Sequence, residues 1–338
     1  LKVSMVPPAQ ARINEALETH ATSLDLALLG LRDVPDSLAD LTALTELRLD
    51  GNLLTRLPDW LGNLATLTKL SLSSNRLSGL PDSLRNLTAL TELRLGHNRL
   101  IDLPDWLGGL PALAELHLSG NKLTNLPDSL GNLGSLADLY LHDNAFTTLP
   151  VTLSRLTTLG CLCLSNNRLA ILPTWLGSLT SLTRLALDRN RLTALPDSLR
   201  SLTNLTTLWL EDNAFTEVPD PVRDLTRLTA LYLEGNPLTG LPDWLGNLTG
   251  LAHLGLSDSG LTTLPDSLGN LTALTTLWLS NNHLTELPDS LRNLTALTDL
   301  HLDGNPLAER PDWLESRAPD PDHSDTDVSG GERPGTTA

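Results

Sequence analysis

Cysteine, lysine and long apolar runs are what this sequence lacks. Two cysteines in 338 residues cannot make a disulfide framework, so a reducing cytosol fits best. Three lysines stand against twenty arginines, a bias that points to a GC-rich bacterial genome. Positive charge is short as a whole, and the formal net charge is −17. That balance argues against nonspecific nucleic-acid binding, which needs a basic surface, and against docking on an anionic membrane. No apolar run reaches the length of a membrane-spanning helix. The opening Leu1-Lys-Val-Ser-Met5-Val-Pro-Pro has no secretory apolar core. The chain does not begin with Met, which leaves a fragment or another start codon open; Met5 is a candidate start. Catalytic motifs are missing too: there is no G-x-G-x-x-G, Walker loop, G-x-S-x-G or H-E-x-x-H. Ser119-Gly-Asn-Lys122 matches S-x-x-K, but here the serine ends a strand, whereas the serine enzymes that use the motif open a helix with it.

What is present is a repeat. Leu44-Thr-Glu-Leu47-Arg-Leu49-Asp-Gly-Asn52 and the residues up to Thr66 form a 23-residue unit, and its first Leu recurs to Leu297 in twelve copies without insertion or deletion. A fixed period of this size is the mark of a solenoid. In Leu47-Arg48-Leu49 apolar and polar residues alternate, which is strand period. Successive copies are expected to stack as parallel strands about 4.8 Å apart. One unit cannot bury its own leucines, so stability comes from neighbour packing on neighbour. The Asn column (Asn52, Asn75, Asn98 and its equivalents) lies where the chain leaves the strand, where a buried amide can satisfy turn backbone groups. Ser259 replaces Asn in one copy, and a looser turn is expected there. Pro58 and its equivalents hold the return in extended geometry. Leu61, Leu64 and Leu67, spaced by three, predict a short helical or 3₁₀ turn. Asp follows the Pro in eleven of thirteen units, in the first turn, where a carboxylate is favourable. Five Asn-Leu-Thr sequons recur with the repeat and read as its copies rather than as glycan acceptors.

The pattern L-x-x-L-x-L-x-x-N-x-L followed by L-P-x-x-L-x-x-L resembles the leucine-rich repeat family, and within it the 23-residue class of intracellular Ras-group and bacterial proteins. The resemblance covers about residues 21–314. It implies an α/β fold: a right-handed leucine-rich repeat solenoid, or horseshoe, with a concave parallel β-sheet and convex short helical or 3₁₀ turns. It also implies a small GTPase or another signalling protein as partner.

Three segments are expected. Residues 1–20 hold a short capping helix over 9–20, with Ile13, Ala16 and Leu17 on one face. Residues 21–317 form the solenoid of about 13 repeats, the first of them degenerate at Leu29. Residues 318–338 are too polar to bury a core and read as a disordered tail. The last repeat decays, with Arg310 and Arg317 in leucine places.

The third, fifth and seventh residues of each repeat form the concave face. Its N-terminal part carries alternating charge, with Glu46, Lys69 and Glu92 as neighbours, and reads as a solvated face with weak ion pairs. Further on, Tyr140, Trp209, Tyr232 and Trp278 are read as exposed aromatics, close to Asp188, Glu211, Glu234 and His301. Exposed aromatics beside carboxylates suit a basic peptide or Arg-bearing protein. A competing origin exists: Tyr140, Trp209 and Trp278 are spaced by 69 residues, and duplication of a three-repeat block would copy them without selection for binding. On the other side, Trp60, Trp106, Trp175, Trp244 and Trp313 alternate with Ser at one position, and are expected to lie partly exposed along the convex turns. Cys161 and Cys163, near Asp138 and His142, are zinc-type ligands. On a strand, though, their Cβ atoms lie about 7 Å apart, so two small residues in variable positions is the preferred reading. No metal or cofactor is assigned. The function expected is a non-catalytic protein–protein interaction scaffold, cytoplasmic and of unknown oligomeric state, binding a protein or peptide on its concave face. The alternative is the substrate-recognition arm of a larger enzyme or effector.

Overall fold

The computed structural model describes residues 7–308; Arg310, Trp313, Arg317 and the polar tail lie outside them. Contacts divide the chain into two compact units, one ending at Leu169 and the other starting at Ala170. The first opens on helix α1 (Pro8–Thr19), one residue earlier at each end than the sequence reading. Pro8 suits the first helical position, where its missing N–H costs nothing. The helix buries Ala9, Ile13 and Ala16, while Leu17 is half-buried. Arg12 reaches the Asp25 carbonyl at 2.8 Å and Ser37 donates to Gln10 at 3.0 Å, which fixes α1 against the first repeat.

Seven three-residue strands follow: β1 (Ser23–Asp25), β2 (Glu46–Arg48), β3 (Lys69–Ser71), β4 (Glu92–Arg94), β5 (Glu115–His117), β6 (Asp138–Tyr140) and β7 (Cys161–Cys163). They pair in parallel with equivalent residues opposite each other, as in Leu47↔Leu70 and Leu139↔Leu162. The second unit has β8 (Arg184–Ala186), β9 (Thr207–Trp209), β10 (Ala230–Tyr232), β11 (His253–Gly255), β12 (Thr276–Trp278) and β13 (Asp299–His301), in the same parallel register. The middle leucine of each strand points into the core: Leu47, Leu116 and Leu231 are fully buried. Between strands, 3₁₀ turns such as Asp59–Asn63 return the chain. Their bonds run i to i+3 from the proline carbonyl, Leu61 N to Pro58 O at 3.1 Å and Leu64 N to Leu61 O at 3.2 Å.

Each buried Asn ties its own repeat to the preceding one. Asn75 Nδ2 donates to Leu49 O at 2.9 Å and Leu72 O at 3.1 Å, and Oδ1 accepts from Leu54 N–H at 3.1 Å. At Ser259 the turn is not looser, contrary to the sequence reading. The serine is 1 % exposed, and Leu238 N–H, from which an Asn side chain would have accepted, is shared between the carbonyls of Asn236 at 2.8 Å and Ser259 at 3.0 Å. The backbone supplies the acceptor that the shorter side chain cannot.

The turns meet mainly in two ways, the junction of Arg200 with Pro221 being an exception that packs closely without the glycine. Gly62, Gly108, Gly131, Gly177, Gly246 and Gly269 each face a Ser or Thr of the next turn so closely that a Cβ would lie 2.0–2.4 Å from its carbonyl oxygen. Where Ala39, Arg85 or Arg223 stands instead, the next turn carries Trp60, Trp106 or Trp244, and the two turns pack less closely. The indole takes the space: Trp60 Nε1 reaches back to Asp36 Oδ1 at 3.0 Å. These tryptophans and Trp175 are half-buried, as the alternation with Ser led us to expect.

Candidate functional site

On each strand the first and third residues project from the side opposite the core. In the first unit this face is charged. Lys69 Nζ lies 3.1 Å from Glu92, and Arg94 pairs with the same carboxylate. Burial alone would raise the Glu92 carboxyl, but hydrogen bonds from Arg94 and Lys69 outweigh it and hold it below the usual range. Farther along, His117 and Tyr140 stack with ring centroids 4.2 Å apart and 18° between planes. Burial, then Arg94, pushes the His117 imidazole down to about 4. Cys161 and Cys163 are both buried, and Cys163 Sγ lies 3.9 Å from Ser165 Oγ.

In the second unit the aromatics form a row. Trp209 and Tyr232, opposite each other in register, stack at 6.0 Å and 12°. Trp278 and His301 do the same at 6.1 Å and 12°. Between the two pairs the row breaks, because Gly255 stands where a ring would be. Tyr232 and Trp278 span the gap with centroids 6.0 Å apart, but their planes diverge by 44°. His253 flanks Trp278 at 6.2 Å.

The eight sequence-predicted residues are not all placed as expected. Tyr140 belongs to the first unit and Asp188 to the second. Tyr140 and Trp209 are each only 8 % exposed, and Asp188 3 %. The picture of exposed aromatics is therefore corrected: strands lie closer together than a ring is wide, so each ring covers its neighbour's face. Tyr232, Trp278, Glu211 and Glu234 are half-buried and His301 is exposed. The sequence reading missed His253, and it missed Gly255 as the break in the row.

Glu234 fills that break. A Cβ on Gly255 would lie 1.9 Å from Glu234 Oε1, so the carboxyl occupies the place of the absent side chain. Its Oε2 is buried without a hydrogen-bond partner. Burial first, and Asp212 and Asp258 after it, push this carboxyl up to about 7 against the opposing backbone N–H groups of Glu234 and Leu233. Burial, with Glu234 and Glu211 nearby, raises the Tyr232 hydroxyl to about 12. The strand residues of β9–β13 include no Lys or Arg, and Arg189, on the turn after β8, pairs with Asp212 at 3.5 Å.

Models of the leucine-rich repeat match residues 42–100, 65–123, 180–238 and 249–307, and a leucine-rich repeat region model matches 104–191. The chain belongs to the leucine-rich repeat family. A leucine-rich repeat protein of Leptospira interrogans is 33 % identical with a TM-score of 0.79, over 90 % of each chain. A plant peptide hormone receptor, RGFR1 in complex with RGF2, is 32 % identical with a TM-score of 0.70, over 83 % of this chain and 47 % of the receptor chain. TLR13 in complex with ssRNA13 is 27 % identical with a TM-score of 0.72, over 92 % of this chain and 47 % of that one. No curated protein matches this leucine-rich repeat chain in sequence. Among the described residues no helix is long and apolar enough to cross a membrane, and no group of three or more His, Cys, Asp or Glu is arranged to hold a metal ion.

Proposed function

We propose that this leucine-rich repeat protein is a non-catalytic scaffold that binds a protein or peptide on the sheet face of its second unit, from β9 to β13. The observation that carries this is the aromatic row Trp209, Tyr232, Trp278 and His301 beside Glu211 and Glu234, with no cation in the strands. Rings and carboxylates without competing lysine or arginine recognise a basic partner by stacking and ion pairing. The peptide-bound receptor among the similar structures supports a peptide. The RNA-bound one raises nucleic acid as a rival, but a net charge of −17 and carboxylates on the face repel phosphates. Within this reading the partner is a cytoplasmic signalling protein, and duplication spread the aromatics before binding retained them.

Affinity capture from host lysate tests it, comparing wild type with Tyr232→Ala/Trp278→Ala. These two are chosen over Trp209 because half-buried rings are cheaper to remove from the fold. A protein held by wild type and lost by the double variant, with melting unchanged, supports the face. Equal capture by both sinks it.

A further inference from the structure

A groove of about 570 Å³ runs across three consecutive copies of the second unit, on the return side rather than the sheet face. Val218, Pro219, Pro221, Leu241, Pro242 and Trp244 supply its apolar lining. It opens where the repeat departs from its own pattern. Val218 stands where the flanking copies have Leu195 and Leu241, and Pro221 where they have Ser198 and Trp244. Arg223 takes the place of the junction glycine, and the turns Asp220–Asp224 and Asp243–Asn247 pack less closely than those joined by glycine. Leu241 is half-buried, while Leu195 and Val218 are buried. A Cβ on Gly240, which also lines the groove, would meet nothing within 4 Å, so the space beside it is open.

Two polar groups of the groove are unengaged. The lining includes Asp197, Glu217 and Asp220 and no Lys or Arg. Asp220 and Asp197 lie 2.9 and 3.6 Å from Arg200. Glu217 is exposed, and among the described residues no cation pairs with it. Trp244 is the second case. Trp60 gives its indole N–H to Asp36, but the equivalent carboxylate beside Trp244 is Asp220, which Arg200 has taken. Among the described residues Trp244 Nε1 has no acceptor, and unlike Trp106 Nε1 it is not shut off from solvent. Pro219, Pro221 and Pro242 carry no N–H, which deprives a docking strand of donors along this lining.

We propose that this groove binds a proline-containing segment of a partner protein in polyproline II form, with one lysine or arginine beside its prolines. The site is separate from the sheet face and does not depend on how that face is used. Proline rings pack on the apolar lining and ask for no acceptor. A polyproline II backbone makes no internal hydrogen bonds, so its carbonyls are free to accept from Trp244 Nε1. Its restricted backbone keeps the cost of ordering small. Three copies about 4.8 Å apart span roughly 10 Å, which three residues rising about 3.1 Å each cover. The basic residue answers Glu217, the carboxylate with no cation of its own.

Selection of a displayed random-peptide library on the full chain, followed by fluorescence anisotropy with synthetic copies of the enriched peptides, tests this. Enriched peptides should share proline and one basic residue. Gly240→Tyr fills the open space without a clash in the fold and should abolish their binding. Glu217→Gln should weaken it by about fivefold. Alanine in place of the peptide's basic residue should cost the wild type as much and cost Glu217→Gln nothing further. Trp244→Phe keeps an aromatic ring, loses the N–H and should weaken binding by about tenfold. Enriched peptides without proline or without a basic residue, binding that survives Gly240→Tyr or tolerates Glu217→Gln, or no enrichment at all overturns the proposal. Glu217 is exposed, so its variant reports on binding even where Gly240→Tyr disturbs the fold, and matched melting curves separate the two.

Discussion

Two adjacent glycines offer a sharp test of how the turns pack. Gly108 and Gly109 end the 3₁₀ turn Asp105–Gly109. A Cβ on Gly108 would lie 2.0 Å from the Ser129 carbonyl oxygen, 2.3 Å from its carbon and 2.8 Å from its Cβ, whereas a Cβ on Gly109 meets nothing within 4 Å. Real Cβ atoms stay beyond 3.0 Å of such neighbours, so Gly108→Ala forces the two turns apart by at least 1.0 Å, the difference between 3.0 and 2.0. Both sides of the clash are backbone, which puts the cost at the upper end for overpacking, about 3 kcal/mol. Lower entropy of the unfolded chain returns roughly 0.5 kcal/mol. The net destabilisation is then about 2–3 kcal/mol. Gly109→Ala gains the same entropy term with no clash and should stabilise by roughly 0.5 kcal/mol. Urea unfolding of both variants measures the difference, and native-state hydrogen exchange of amides in Asp105–Gly109 and Asp128–Asn132 localises it, since long repeat arrays can unfold in parts. Equal stability of the two variants would show that the turns can separate freely, and the account of glycine at these junctions would fail.

Three further outcomes follow from the geometry. Asn75→Ala leaves Leu54 N–H and the Leu49 and Leu72 carbonyls without their side-chain partner and should cost about 2–4 kcal/mol by urea unfolding. Glu234 is raised from 4.5 to about 7 in the fold, so the native state binds the extra proton. Stability is then highest below pH 4.5 as far as this group is concerned, and falls by up to about 3 kcal/mol as pH rises to 7. Glu234→Gln should flatten that limb of the pH–stability curve, and an unchanged slope would refute the burial argument. His117 is lowered from 6.5 to about 4, so here the unfolded chain takes the proton first. Stability should fall by up to about 3 kcal/mol as pH drops from 6.5 to 4, and His117→Gln should remove this dependence in thermal melts.

The repeat carried most of the fold into plain view. Leu47 and Leu49 alternate with Arg48, and Pro58 precedes leucines spaced by three, so strand and 3₁₀ turn could be read from any single copy. The Asn column was legible for the same reason, because its partners lie at fixed offsets. What could not be read from one copy depends on two. Trp209 looks exposed by position, but the ring of Tyr232 on the next strand stacks on it. Glu234 looks like a solvated carboxylate until Gly255 leaves room for it. Ser259 looks deficient until its own carbonyl takes the donor that Asn would have taken. Each surprise is a contact between residues of neighbouring copies, which a column of equivalent positions does not display.

The pairing of glycine with the following serine or threonine also constrains how such a chain can be rearranged. The two residues that decide a junction, such as Gly62 and Ser83, sit in different repeats, so neither repeat alone is a transferable part. A unit ending in glycine can be joined only to one that starts with a small residue there, and a unit bearing tryptophan must follow one without that glycine. Copying by whole blocks preserves every internal junction and exposes only the two at the block's ends to mismatch. A designer who shuffles single repeats of this chain must match these edges, or accept a clash or a gap at each seam.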